Sequence, residues 1–213
     1  MKKKPAVVPF SEAKKVTPAA YRHWHNGGDL EISFYARSLH QTAQSILASL
    51  DLQPNPRTAW DACPVVLLYR QAVELHLKAL VDEGGDFLKE RTDAITLCKT
   101  HSLRWLAQMV SQIIKAVQWE AAFQCEGMSN LADFSALVSE LEELDPVAVS
   151  LRSSNRRPDG GVPNQLEPPR IVQFAKKLDA LIGVLDATTD ALAATAILME
   201  IDGTESGLSP TIQ

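Results

Sequence analysis

The spacing of apolar residues constrains this chain more than any other feature of its sequence. In five stretches the apolar residues recur every three or four positions, which places them on one face of an α-helix. No stretch shows the sustained alternation of apolar and polar residues that is typical of a half-buried strand. We therefore expect an all-α fold, a single-domain bundle of about five helices.

The predicted bundle spans residues 29–201, between an irregular N-terminal arm at 1–28 and a flexible tail at 202–213. Proline and glycine interrupt the arm, and glycine, serine and threonine dominate the tail. A glycine pair, Gly84 and Gly85, is expected to end the second helix in the manner of a glycine C-cap. The five predicted helices run from Asp29 to 50, from 57 to 81, from Leu103 to Val117 after a Thr100 cap, from 131 to Pro146, and from 170 to 199.

Composition excludes several classes of protein. The chain has 213 residues, 46% of them hydrophobic, which suits one globular domain. Its net charge of -5 argues against a generally cationic nucleic-acid binder, so any contact with nucleic acid must be local. Cys63, Cys98 and Cys125 include no Cys-x-x-Cys pair, and no apolar run reaches the roughly 20 residues that span a bilayer. We expect a cytoplasmic protein that does not bind membranes.

No standard catalytic or metal-binding signature is present. The sequence lacks a phosphate-binding Gly-x-x-x-x-Gly-Lys loop, a His-Glu-x-x-His motif and a nucleophile elbow. His23 and His25 could both contact a metal, but no third ligand lies near them. We therefore predict neither a metal site nor a cofactor.

The second predicted helix is apolar on more than one side and should be the central one. It nevertheless carries Arg70, Glu74 and Lys78, whose four-residue spacing places them on one face with alternating charge. These side chains could form a solvated salt-bridge ladder. They could instead line a subunit interface or a polar cleft, in which case they would be functional.

Two further features could carry chemistry. His101 stands at the start of the third helix, where it could act on a ligand or simply bond the backbone of the first turn. Arg152, Arg156 and Arg157 lie in or beside a glycine-containing loop. Guanidinium groups match phosphate oxygens, so this loop suits phosphate recognition, and it equally suits an ordinary exposed loop.

Residues 67–80 resemble the signature helix of HEPN-type proteins, in which Arg, Glu and Lys recur at the spacing of Arg70, Glu74 and Lys78. The segment 100–103, Thr-His-Ser-Leu, is similar to the family's His-x-Leu start of the next helix. The segment 156–159, Arg-Arg-Pro-Asp, is similar to an Arg-Tyr-Pro-Asp loop of some members, with Arg157 in place of the tyrosine. The resemblance extends over residues 30–200 in the order of the elements.

The resemblance implies a helical bundle, often dimeric, of the kind found in bacterial toxin-antitoxin and antiphage defence systems. Many members are metal-independent ribonucleases with an Arg, four to six residues, and then a His on a late helix. Here no histidine follows Arg152 or the later arginines. Arg70 and His76 match that spacing, but a six-residue helical step turns their side chains about 240° apart.

Two functions therefore remain open. The chain could be a noncatalytic interaction, dimerisation or ligand-binding module, with Glu74, Lys78, Arg152 and Arg157 as ligand-binding candidates. It could instead be a metal-independent ribonuclease or RNA-binding effector, in which His101 is the general acid or base while Arg70 and Arg156 stabilise phosphate charge. The expected partners are a second copy of the chain, RNA or a nucleotide, and a protein such as a nucleotidyltransferase.

Overall fold

The structure is a computed structural model that describes residues 9–13, 28–49, 63–88, 94–152 and 168–205. Within these residues it contains helices and no β-strand, apart from one isolated antiparallel bridge between Cys125 and Met128. Five long helices form a bundle, as the apolar spacing predicts. The α-helices are α1 (Phe10–Ala13), α2 (Gly28–Ser49), α3 (Cys63–Gly84), α4 (Ala94–Lys99), α5 (Leu103–Ala116), α6 (Leu131–Arg152) and α7 (Pro168–Glu205), and a 3-10 helix follows α3 at Gly85–Phe87.

Helix α3 lies at the centre of the bundle and packs against α2, α5, α6 and α7. Its buried side chains point in several directions, because Val65, Leu77 and Val81 are all almost fully covered although they lie up to about 160° apart around the helix. The prediction that this helix is central is therefore confirmed. In the described part of the chain, no helix is both long enough and apolar enough to cross a membrane.

Helices α3 and α5 run in the same direction. Arg70 donates a hydrogen bond of 2.8 Å to the backbone carbonyl of His101, just before α5, and the end of α3 at Gly84 lies against Ile113 near the end of α5. Contacts that advance along both helices together require parallel helices. The chain therefore has to return along the bundle between 85 and 102, where the 3-10 helix and α4 lie.

Gly84 ends α3, but the reason differs from the one expected of a C-cap glycine. Its backbone keeps right-handed angles, with φ -85° and ψ -3°, so no left-handed conformation requires glycine there. A Cβ atom at this position would instead lie 2.6 Å from Cγ2 of Ile113. Glycine therefore serves close packing between α3 and α5.

Several helix ends differ from those expected. Ser102 rather than Thr100 caps α5, since its side chain accepts a hydrogen bond of 3.3 Å from the backbone N–H of Trp105. Helix α6 does not stop at Pro146 but continues to Arg152. A proline removes one backbone donor, and here the helix continues beyond that loss.

The boundaries of the bundle are also wider than predicted. Helix α7 runs from Pro168 to Glu205 and so includes the first four residues assigned to the tail. Within the predicted arm, α1 forms a single turn whose Phe10 ring packs edge-on against Trp119, with ring centroids 5.0 Å apart. Residues 1–8 and 14–27 of the arm, and residues 206–213 of the tail, lie outside the described residues.

Candidate functional site

The charged residues of α3 meet His101 where α5 begins. Oε1 of Glu74 lies 2.9 Å from Nδ1 of His101 and 3.0 Å from Nζ of Lys78, while Oε2 lies 2.5 Å from a guanidinium nitrogen of Arg70. We call these four residues the junction cluster, because they join α3 to α5. The Glu74 carboxylate thus contacts an imidazole, an ammonium and a guanidinium group.

The junction cluster is buried except for the imidazole. The side chain of Glu74 is 2% exposed, those of Lys78 and Arg70 are 10% and 12% exposed, and that of His101 is 69% exposed. Burial opposes ionisation of the Glu74 carboxyl, but the hydrogen bonds from Lys78, His101 and Arg70 outweigh it and lower the pKa. The carboxylate is therefore ionised at neutral pH.

The start of α5 already holds a carboxylate of the protein itself. The backbone N–H of Leu103 donates to Oε1 of Glu142 at 2.9 Å, and Arg104 pairs with Glu142 at 3.1 Å and with Glu143 at 2.8 Å. The first N–H groups of a helix attract anions. Here Glu142 on α6 occupies that place beside His101.

The structure brings together four of the predicted site residues, namely Arg70, Glu74, Lys78 and His101. Arg152 is the last residue of α6, and its side chain lies outside the described part of the structure. Arg156 and Arg157 lie outside the described residues, as do His23 and His25. Among the described side chains, no three His, Cys, Asp or Glu residues are placed to share a metal ion.

A second polar assembly lies between α2, α3 and α7, and sequence reasoning missed it. Oδ1 of Asp179 accepts a hydrogen bond from the Tyr69 hydroxyl at 2.8 Å and one from the Gln44 amide at 3.1 Å, and it lies 2.6 Å from Nε2 of His40. Burial of the Tyr69 hydroxyl and its contact with Asp179 raise the pKa of that hydroxyl well above its usual value. The hydroxyl therefore stays protonated as a donor.

Seven residues further along α7, Asp186 receives a second set of contacts. The guanidinium of Arg37 donates to Oδ1 of Asp186 through Nη2 at 2.8 Å and through Nε at 3.0 Å. Nδ1 of His76 lies 3.9 Å from the same oxygen. We call the groups around Asp179 and Asp186 the polar ladder, formed by Arg37, His40, Gln44, Tyr69, His76, Asp179 and Asp186.

His76 is an almost fully buried member of the polar ladder. Its side chain is 2% exposed, and its Nε2 atom has no hydrogen-bond partner. Burial lowers the pKa of His76 to about 4, against the attraction of Asp186 and with help from His40 and Arg37. The imidazole is therefore neutral at neutral pH.

A seven-residue interval that occurs in both α3 and α7 could have revealed the polar ladder. Tyr69 and His76 are two turns apart on α3, and Asp179 and Asp186 are two turns apart on α7. Matching intervals on two helices place successive pairs at the same height when the helices run parallel. These four residues form no charge pattern within either helix. The shared seven-residue interval is therefore visible only when the two distant helices are compared.

The structure also separates Arg70 from His76, as their helical spacing predicts. Arg70 contacts Glu74 and the carbonyl of His101, whereas His76 faces Asp186 of α7. The two side chains therefore lie on different sides of α3. They cannot act together on one bond.

Comparison with known proteins adds no further assignment. Family models, curated proteins and solved structures were all compared with the chain, and none of them matches it.

Proposed function

We propose that this chain is a noncatalytic, HEPN-like interaction module of a bacterial defence or toxin-antitoxin system. The observation that carries the proposal is the internal pairing of the junction cluster. Arg70 and Lys78 both form ion pairs with the buried carboxylate of Glu74, and Arg70 also donates a hydrogen bond to the backbone carbonyl of His101. These groups hold α3 and α5 together instead of facing a substrate.

The surroundings of His101 support the same view. Phosphoryl chemistry needs cationic donors that face the scissile phosphate as its charge develops. Beside the exposed imidazole, the start of α5 is already occupied by Glu142, and Arg104 is paired with two carboxylates. An incoming phosphate would have to displace those carboxylates and would be repelled by them.

The proposal is tested with purified protein and RNA. Transfer RNA and messenger RNA are incubated with the protein in the presence of EDTA, and the products are resolved by electrophoresis. We expect intact RNA at all protein concentrations, and no change for His101→Ala. Cleavage by the native protein that disappears in His101→Ala would refute the noncatalytic assignment.

A second candidate, a metal-independent ribonuclease or RNA-binding effector, is favoured by one specific contact. The exposed imidazole of His101 is bound through Nδ1 to the buried carboxylate of Glu74. A carboxylate that accepts from Nδ1 selects the tautomer in which Nε2 is the free acceptor, which is the form a general base requires. This contact gives the RNA experiment its sharpest variant.

A matched control separates catalysis from general effects on α5. Lys115 is another exposed residue of α5, near the opposite end of that helix. If the ribonuclease candidate holds, His101→Ala abolishes EDTA-resistant cleavage and Lys115→Ala retains it. Equal activity of both variants would point to a contaminating nuclease.

A further inference from the structure

Helix α2 is attached to the bundle by fewer buried apolar side chains than the other long helices, among the described residues. Within residues 32–49 only two alanines, Ala36 and Ala43, are buried, while Leu39, Ile46 and Leu47 pack against the core and remain partly exposed. Helix α5 is shorter, yet it buries leucine, valine and isoleucine side chains along its whole length. An alanine removes only one methyl group from water, so burial stabilises the position of α2 less than that of α5.

Polar contacts join α2 to α7. Arg37 donates to Asp186 at 2.8 Å and lies 3.8 Å from Asp190, and Nε2 of His40 lies 2.6 Å from Asp179. The guanidinium and the three carboxylates are all partly exposed. Water therefore reaches these contacts and screens them.

His76 of α3 is buried between groups of α2 and α7. The described charged groups that face it are Asp186 from α7 and Arg37 and His40 from α2. Its Nδ1 lies 3.9 Å from Asp186, beyond hydrogen-bonding distance, and its Nε2 has no hydrogen-bond partner. An imidazolium carries an N–H group on both nitrogens, so protonation adds a positive charge and a donor where Nε2 meets no acceptor.

A protonated His76 is therefore stabilised by any movement that brings its imidazole to water, and α2 is the helix that resists such movement least. Helix α7 is held in the core by large buried side chains, among them Leu178, Leu181 and Leu185. Helix α2 has only its two buried alanines and its partly exposed contacts.

The charges around the imidazole favour the same movement. Arg37 and His40 both belong to α2 and repel a protonated His76, so the repulsion ends when α2 leaves. Asp186 belongs to α7 and continues to attract it. Acid also protonates the carboxyl groups of Asp179 and Asp186, which weakens the contacts that hold α2.

We propose that α2 is a helix released by acid: when His76 binds a proton, α2 detaches from α3 and α7, while α3, α5, α6 and α7 stay packed. Detachment uncovers the side of α3 that carries Tyr69 and His76, because the Tyr69 ring packs against His40 of α2, with ring centroids 5.7 Å apart. This change takes place within one chain and does not depend on the proposed function.

The expected size of the change follows from two protonation equilibria of one imidazole. Burial lowers the pKa of His76 to about 4 in the closed bundle, whereas an imidazole in water has a pKa of about 6.5. Between these values the open form binds a proton that the closed form does not, so the closed form loses its advantage as the pH falls. The ratio of open to closed chains rises about 100-fold between about pH 7 and about pH 4.

The experiment measures amide hydrogen exchange of the full chain by mass spectrometry from about pH 7 to about pH 4, with the pH dependence of the chemical exchange rate divided out. A released helix of 22 residues loses most of its hydrogen bonds in water, so its amides exchange. We expect residues 32–49 to be at least tenfold less protected than residues 103–116 of α5 at every pH. Their protection should fall about 100-fold over the range.

His76→Leu removes the titrating imidazole and should abolish most of this pH dependence. His76→Gln, which is also neutral at every pH, makes the same test with a polar side chain if the leucine variant does not fold. The matched control is His101→Gln, which removes an exposed imidazole at the start of α5 and should keep the full pH dependence. Circular dichroism at pH 7 checks that the variants fold.

Three outcomes overturn the inference. Equal protection of residues 32–49 and 103–116 at every pH would show that the bundle opens only as a whole. Protection of residues 32–49 that is independent of pH would exclude release by acid. The full pH dependence in the folded His76 variants would assign the response to other groups. Early exchange of α2 alone, lost in the His76 variants and kept in His101→Gln, supports the release.

Discussion

The junction cluster and the polar ladder lie on two sides of the same helix, α3, and they are held together in different ways. In the junction cluster, three of the four residues belong to α3 and are four positions apart, so most of its contacts are local. In the polar ladder, the partners come from three helices and lie more than 100 positions apart in the chain, as for Tyr69 and Asp179, whose separation is 110.

This difference separates two roles of buried polar groups. Local pairs such as Arg70 with Glu74 can form before the bundle is complete, because one helix carries both partners. Pairs such as Arg37 with Asp186 form only when α2, α3 and α7 reach their final register. The junction cluster is therefore assembled mainly within α3 and attaches that helix to the start of α5, whereas the polar ladder specifies how three helices align.

The largest expected effect is on the junction cluster. Glu74→Gln removes the carboxylate that Arg70, Lys78 and His101 share, and it leaves buried positive charge behind. We expect the free energy of unfolding to fall by about 3–5 kcal/mol, as measured by urea denaturation. The control is Glu143→Gln, whose side chain is 71% exposed and which should cost less than about 1 kcal/mol. Equal costs for the two variants would show that the junction cluster is solvated.

The next effect concerns pH and the polar ladder. The pKa of His76 is lowered to about 4 in the folded chain, so between pH 6.5 and 4 the unfolded chain binds a proton that the folded chain does not. Stability contributed by the neutral imidazole is complete above pH 6.5 and is lost as the pH falls, by about 3 kcal/mol at pH 4. Urea denaturation at several pH values measures this slope.

His76→Leu should remove most of that slope without loss of stability at pH 7, since it also removes a buried nitrogen that has no hydrogen-bond partner. The groups that face His76 are Asp186 from α7 and His40 and Arg37 from α2, and they remain in this variant. His101→Gln is the matched control and should keep the slope. A slope unchanged in His76→Leu would assign the pH dependence to other groups.

A smaller effect tests whether the polar ladder acts as a unit. Asp179→Asn and Tyr69→Phe each remove one side of the 2.8 Å hydrogen bond between these residues. We expect each variant to lose about 1–3 kcal/mol and the pair to show a coupling energy of about 1 kcal/mol in a double-mutant cycle. Strictly additive costs would mean that the two residues stabilise the bundle independently.

The smallest effect is expected at His101. Its side chain is 69% exposed, so water screens its contact with Glu74. We expect His101→Ala to change the free energy of unfolding by less than about 1 kcal/mol. A cost as large as that of Glu74→Gln would show that the imidazole is a structural member of the junction cluster, and would weaken its candidacy as a general base.

The sequence was sufficient to predict the helices and the part of the junction cluster on α3, because both depend on local spacing. Apolar residues at helical intervals identify the five long helices, and four-residue intervals place Arg70, Glu74 and Lys78 together. The ribonuclease hypothesis grouped His101 with them, but local spacing does not predict its contact with Glu74, which lies 27 positions away. The polar ladder was not predicted, because contacts such as Arg37 with Asp186 depend on the register of α2 against α7.

Helix ends were predicted less well for similar reasons. Pro146 looked like a stop from local rules, yet α6 continues to Arg152. Gly84 looked like a cap, yet glycine is needed there because a side chain would clash with Ile113 of another helix. In both cases the deciding information lies outside the few residues that a local rule considers.

The parallel course of α3 and α5 has an electrostatic consequence, because α7 runs in the same direction. Tyr69 contacts Asp179 and His76 faces Asp186, so α3 and α7 also advance together. The peptide dipoles of the three helices therefore point the same way, and each places about half a positive charge at its N-terminal end. Helix α2 runs the other way, because Arg37 pairs with Asp186 while the later His40 pairs with the earlier Asp179, so its dipole opposes these three and cancels part of their sum.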